Sequence, residues 1–294
     1  MPQTILVTGA TGYVGGELLR PLAERGHRVR AMTRNPGRSD FPDGVEGVEG
    51  DVMQADSLSR ALDGVDVAYY LVHSMEGKDG DFAERDRRGA ENFGRAAKTA
   101  GVERIVYLGG LPGGDSEHLA SREEVARILA EHVPGTIHVR AAMVIGEGSA
   151  SFVMLSSLVK RLPAMITPRW ITTRTQPVAI ADVVATLSAL ADFEDPPPEV
   201  QLGGADVLSY REMMDVYAKV AGLRKRLIVT VPVLTPRLSS HWVGLVTPVE
   251  TALAKPLVEG LGAEMVVEHP PPPGLNDNPK GFEEAVRAAL DRAD

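Results

Sequence analysis

Residues 4–19 read TILVTGATGYVGGELL. The first five are apolar or β-branched, as in a buried strand, and from Tyr13 the chain turns amphipathic as far as Arg25. Between the two, Gly9, Gly12 and Gly15 give the spacing G-x-x-G-x-x-G. At a strand-to-helix turn each glycine has a physical task. The first permits a tight turn, the second lets backbone N–H groups approach a pyrophosphate, and the third lets helix and strand pack closely. The helix start adds unpaired N–H groups and the positive end of its dipole. Together with Thr11, Tyr13 and Val14, these glycines form a loop predicted to hold a dinucleotide.

The end of the second strand, RVRAMT at 28–33, discriminates between dinucleotides. An NAD site wants an Asp or Glu here to accept from the ribose 2′-hydroxyl. The chain continues RNPGR instead, with Arg34 and Arg38. A guanidinium suits a 2′-phosphate through charge-assisted, bidentate bonds, so NADP(H) is the expected cofactor; two surface loop charges are the alternative. After a weak third strand near Val45 to Val48, EGDV at 49–52 brings Asp51 and Val52 toward the adenine, unless Asp51 is a loop acid before a helix.

Further along, apolar runs keep alternating with helical segments, the pattern of βαβ units around a parallel sheet. DSLSRAL (56–62) reads as a short helix with Asp56 as N-cap, DVAYYLV (66–72) as the fourth strand, and 81–100 as a long helix stopped by Gly101. RIVYLGG (104–110) and TIHVR (136–140) are the fifth and sixth strands, with a helix between them ending near His132. Beyond Ala141 the rhythm changes. Residues 151–176 look irregular, 178–191 returns to strand then helix with Asp182 as cap, and Pro196–Pro198 marks a loop. The expected class is a Rossmann-type, doubly wound parallel α/β sheet with a smaller C-terminal α/β substrate lobe. Residues 1–145 would bind NADP(H), with 177–205 returning to that domain, and 146–176 with 206–294 would form the lobe.

Bulk composition narrows the function. The 294 residues carry a net charge of −9, against a nucleic-acid-binding face, and the runs Arg85–Arg88 and Arg224–Arg226 look like solvated surface. With no cysteine, disulfides, thiolate metal sites and cysteine nucleophiles drop out. His27, His132, His241 and His269 have no acid at zinc-ligand spacing, so no metal is expected. The N-terminus lacks the basic region of a signal peptide. The most apolar stretch, 242–261, is broken by Pro248, Glu250, Lys255 and Pro256, too soon for a membrane span of ~18 residues. A cytoplasmic protein is the expectation, with room for a homodimer.

VTGATGYVGGELLRPLAERGHRVRAMTRNP (7–36), GAENFGRAAKTAGVERIVYLGGL (89–111) and HLASREEVARIL (118–129) resemble the short-chain dehydrogenase/reductase superfamily. The likeness is closest to its atypical branch, with NmrA-like and complex I accessory-subunit-like proteins. TQPVAIADVV (175–184) and 202–222 resemble the C-terminal half of the extended members more loosely. The resemblance implies that Leu71 to His73 and the end of the fifth strand at Gly109 line the nicotinamide half of the cofactor. Active members carry a serine after that strand and a Tyr-x-x-x-Lys pair on the next helix. Here the strand ends in Gly109 and Gly110, and alignment of SREEVARIL sets Arg122 at the lysine position and His118 at the tyrosine position.

Histidine is a competent general acid near neutrality, whereas arginine can hold oxygens but not titrate. Ser121 and Glu124 fit a capping box, which would start the helix at Ser121 and leave His118 in the preceding loop. A solvated helix entry is the plain alternative to a catalytic pair. In PRWITTR (168–174), Trp170 between arginines is either a clamp for an anionic or aromatic substrate or a partly exposed loop. Two functions remain open. One is an NADPH-dependent oxidoreductase on an activated acceptor (a quinone, enone or imine), or an isomerase or cyclase in the same cleft. The other is an NmrA-like sensor or structural binding protein without turnover.

Overall fold

Period-two alternation along apolar strands sends neighbouring side chains to opposite faces of a sheet, and this alternation sets the layers. The computed structural model describes residues 2–73, 82–113, 117–231 and 261–292. In chain order the first strands are β1 (Thr4–Val7), β2 (Arg28–Thr33), β3 (Val45–Glu49), β4 (Val67–Tyr70), β5 (Arg104–Gly110) and β6 (Thr136–Ala141). There follow β7 (Val144–Ile145), β8 (Ala164–Thr167), β9 (Arg174–Thr175), β10 (Val178–Ala179), β11 (Glu199–Leu202), β12 (Leu208–Ser209) and β13 (Leu227–Thr230). The helices are α1 (Tyr13–Glu24), α2 (Ala55–Ala61), α3 (Phe82–Ala100), α4 (Glu117–His132), α5 (Ala150–Arg161), α6 (Ile180–Ala189), α7 (Tyr210–Val220) and α8 (Phe282–Asp291).

The chain divides into two units. The first comprises Met1–Gly109, Ala120–Arg140 and Val184–Val200; the second comprises Gly110–Leu119, Ala141–Val183 and Gln201–Asp294. The central sheet runs β11-β6-β5-β4-β1-β2-β3, with β1 parallel to β2 and β4, and β4 parallel to β5. Strand order therefore reverses between β1 and β4, the point where open α/β sheets bind ligands. Leu6, Ala68, Tyr70, Ile105 and Tyr107 pack with Leu58, Phe93, Ala97, Val125 and Leu129 on one face. Tyr69 turns to the other face, where its hydroxyl donates to the Leu187 carbonyl at 2.7 Å. A helix layer on each face makes the sheet doubly wound, as the alternation of apolar runs with helical segments predicts.

The second unit has its own core of Phe152, Leu155, Trp170, Met213, Tyr217, Phe282 and Val286. Three two-stranded pairings edge it: β7 with β10, β8 with β13, and β9 with β12. Helix α7 starts with a capping box, the Ser209 side chain accepting from Glu212 N–H while the Glu212 side chain accepts from Ser209 N–H.

Several local expectations give way. Residues 150–161 form helix α5 rather than an irregular stretch. The N-cap of α2 is Gln54, and Asp56 lies in the first turn, where its charge still favours the helix dipole. Asp182 sits in the first turn of α6 and accepts from the Lys280 backbone N–H at 2.8 Å, tying the far end of the chain to that turn. Its carboxyl is raised above the usual range by burial. Trp170 is neither a clamp nor a loop residue: it is buried edge-on against Tyr210, 5.8 Å between centroids. The interrupted apolar stretch at 242–261 falls almost wholly outside the described residues, among which no helix is long and apolar enough to cross a membrane.

Phe93, fully buried with its ring 5.0 Å from that of Tyr70, tests the α3–sheet packing. Phe93→Ala should lower the unfolding free energy by about 3–5 kcal/mol in a urea titration, since so large a cavity does not collapse.

Candidate dinucleotide site

The turn after β1 is held by backbone. Gly9 adopts φ +64°, its carbonyl accepts from Gly12 N–H at 2.9 Å, and a Cβ at Gly9 would lie 2.6 Å from the Leu71 carbonyl oxygen. A Cβ at Gly15 would lie 2.2 Å from the Gly9 carbonyl oxygen. Neither position accepts a side chain without moving backbone, which is the geometry the glycine spacing predicts. Gly12 is the N-cap of α1 and, having no side chain, leaves the first-turn N–H groups uncapped, with Thr11 and Gly12 exposed. Such a turn fits a pyrophosphate: anion-binding amides, no intruding Cβ, and the positive end of a helix dipole. Tyr13 and Val14 open the helix, half-buried.

Thr8 braces the crevice between β1 and β4. Its hydroxyl donates to the Tyr69 carbonyl and accepts from Leu71 N–H, each at 3.0 Å. Beyond β2, Arg34 and Arg38 are exposed, and neither guanidinium bonds to a described residue. Asp51 Oδ1 accepts from Met53 N–H at 2.9 Å in a local turn. The Val52 side chain joins the core beside Gly89, and the Val52 carbonyl accepts from Asn92.

At the carboxyl ends of β4 and β5 the structure assembles a polar cluster. Arg122 donates to the Leu108 carbonyl at 2.9 Å and lies 3.0 Å from His73 Nε2, and it also bonds the Tyr107 hydroxyl. A guanidinium only donates, so His73 Nε2 accepts and the ring carries its proton on Nδ1. Burial pushes the Tyr107 phenol up to about 12, opposed by the Arg122 charge. Buried Asp86 lies 3.5 Å from the Ser121 hydroxyl. His118 is half-buried in the first turn of α4, one turn from Arg122 on the same helix. The capping-box expectation is thus corrected. Ser121 faces inward toward Asp86, and Glu124 lies 3.9 Å from Arg127 instead of reaching back to a helix start.

Sequence reasoning missed His138, Tyr107 and Asp86. His138, on β6, is buried, with its ring 5.2 Å from that of Tyr107 and its Nε2 unpartnered. That nitrogen would lie 2.2 Å from a Cβ at Gly109, so the imidazole occupies the space a side chain at 109 would need. A histidine inside the apolar run TIHVR was the one available signal. Burial lowers its pKa to about 4, keeping it neutral.

Residues 9–143 match a family model described as NAD(P)H-binding. This stretch is an NAD(P)H-binding domain. Over 112 residues the chain is 35% identical to a 3 beta-hydroxysteroid dehydrogenase/Delta 5-->4-isomerase of Mycobacterium tuberculosis, covering 35% of this chain and 30% of that protein. The chain thus spans about a third of the length of the first curated relatives it matches. A ceramide reductase of Caulobacter vibrioides is 27% identical over 76% of this chain and 72% of its own length. Among solved structures, the Citrobacter sp. triphenylmethane reductase complexed with NADP(H) superposes with a TM-score of 0.76 at 20% identity, over 97% of this chain and 100% of that one. The resemblance to the atypical short-chain dehydrogenase/reductase group holds.

Two variants of the NAD(P)H-binding domain test this geometry. Gly15→Ala should cut NAD(P)H affinity at least about tenfold by calorimetry, because its Cβ displaces the Gly9 carbonyl. His138→Gln addresses the buried imidazole. The folded pKa lies below the ordinary 6.5, so the native state resists protonation and loses stability as pH falls from about 6.5 toward 4. The variant should lose less over that window, by up to about 3 kcal/mol in urea titrations at the two pH values.

Proposed function

We propose that the chain is an NADP(H)-dependent oxidoreductase of the atypical short-chain group, reducing an activated acceptor such as a quinone, enone or imine. The observation that carries the cofactor reading is the pair Arg34 and Arg38, exposed and unengaged by described residues beyond the β2 end. Two guanidiniums there suit a 2′-phosphate, and no acid stands ready for a 2′-hydroxyl. The amides of residues 9–15 would hold the pyrophosphate, while Leu71, His73 and Gly109 would border the nicotinamide half. When bound, the reduced nicotinamide supplies a hydride.

The acceptor class follows from what is missing. Without serine at 109 or 110, or a tyrosine–lysine pair at 118 and 122, an unactivated ketone lacks its usual proton donor. An acceptor already electron-poor needs less help, and His118 or water would supply the proton. Arg122 is engaged by His73 and Leu108, so its role is to position His73 and the strand ends. That same engagement favours the second reading, a sensor or structural protein that binds NADPH without turnover. It takes the lysine's place on the helix but cannot exchange a proton.

NADPH oxidation followed at its absorbance against quinones, enones and imines separates the two. Steady turnover that His118→Ala reduces supports the enzyme; tight binding with no turnover on any acceptor supports the sensor. In calorimetry, Arg34→Ala with Arg38→Ala should weaken NADPH about 10–100-fold and leave NADH nearly unchanged, the worth of one or two charge-assisted bonds. Equal weakening of both would remove the NADP(H) assignment.

A further inference from the structure

The most exposed large apolar side chains among the described residues are Ile166 (61%), Leu227 (64%) and Val229 (49%). All three stand on one ribbon of the second unit, where β8 and β13 pair in parallel with Ile166 beside Val229 and Ala164 beside Leu227. The alternate residues Met165 and Ile228 are buried in that unit's core. One face of the ribbon is therefore anchored, and the other presents Ala164, Ile166, Leu227 and Val229 to solvent. Isolated exposed apolar residues need no explanation, but a face composed of nothing else does.

Charge frames the same face. Lys160 and Arg161 close helix α5 just before β8, Arg169 follows it, and Arg224, Lys225 and Arg226 lead into β13. Because the strands are parallel and Ala164 pairs with Leu227, the two basic runs meet at the amino end of the ribbon. Residues 160–169 and 224–230 contain no acid, in a chain of net charge −9. Lys225 is partly offset by Asp215 at 3.5 Å, and Arg226 donates to the Val159 carbonyl; Lys160, Arg161 and Arg224 are exposed.

We propose that this ribbon is a docking surface for an anionic phospholipid bilayer. Ile166, Leu227 and Val229 enter the headgroup boundary while the flanking cations contact lipid phosphates. A few inserted apolar side chains and a cationic rim are what reversible interfacial binding requires, each cation near the surface contributing about fivefold in partitioning. Two four-residue strands offer far less than the roughly 800 Å² per partner of a stable protein interface. A nucleic acid would have no use for the apolar face. The reading is independent of the cofactor assignment.

Vesicle flotation of the full chain tests it, using phosphatidylcholine alone or mixed with phosphatidylglycerol, at low and high salt. The protein should float with the anionic vesicles at low salt only. Leu227→Ser with Val229→Ser, and separately Arg224→Glu with Lys225→Glu, should each reduce the bound fraction about tenfold or more, with melting temperature and NADPH binding unchanged. No flotation with anionic vesicles overturns the proposal, as does flotation that either folded double variant leaves intact. Concentration-dependent dimerisation, or nucleic-acid binding, lost in these variants while vesicles remain unbound would equally overturn it.

Discussion

The Gly9 carbonyl oxygen occupies the place a Cβ on residue 15 would take, and much of the first unit follows from that closeness. It lets α1 start directly over the end of β1, so the helix needs no longer connection. It leaves the uncapped first turn of α1 at the end of β1, the strand beside which the sheet order reverses. Leu71 closes the other wall, its carbonyl against Gly9 and its N–H held by Thr8. Substituting either glycine therefore disturbs two strands and a helix together, which is why the turn tolerates so few residue types.

A second closeness shapes the neighbouring strand ends. His138 fills the volume beside Gly109, and Arg122 spans His73, Leu108 and Tyr107. Polar groups taken out of water must find partners, and this cluster supplies most of them internally. The buried Nε2 of His138 is an exception, and its low pKa keeps the imidazole uncharged in that setting. In this cluster the helix arginine braces two strand ends.

Legibility in the sequence followed the range of the physics. The glycine turn, the strands around it and the stop of α3 at Gly101, with φ +77°, rest on contacts within a few residues and could be read directly. Helix α5 could not, because SFVMLSSLVKR is buried along so much of its length that a polar face hardly marks its period. The Ser121–Glu124 pattern imitated a helix start because the same residue types serve long-range partners, Asp86 for the serine. His73, Asp86, Tyr107, Arg122 and His138 come from five separate stretches of chain, and only the fold brings them into one cluster. Trp170 misled for a related reason: neighbouring arginines say nothing about Tyr210, which covers it.

The unit that carries the glycine turn draws on three separate stretches, the last of them Val184–Val200. That last stretch is not a trimming. The buried Tyr69 hydroxyl reaches Leu187, Arg104 reaches the carbonyls of Leu190 and Ala191, and Arg25 and His27 reach Asp192. During synthesis the ribosome must therefore release about two hundred residues before this half can close, leaving part of its sheet uncovered in the interval. Contacts so distant along the chain also slow closure itself. A nascent chain of this protein is thus a natural client for chaperones, and amputation after the sixth strand would yield an open sheet instead of a smaller domain.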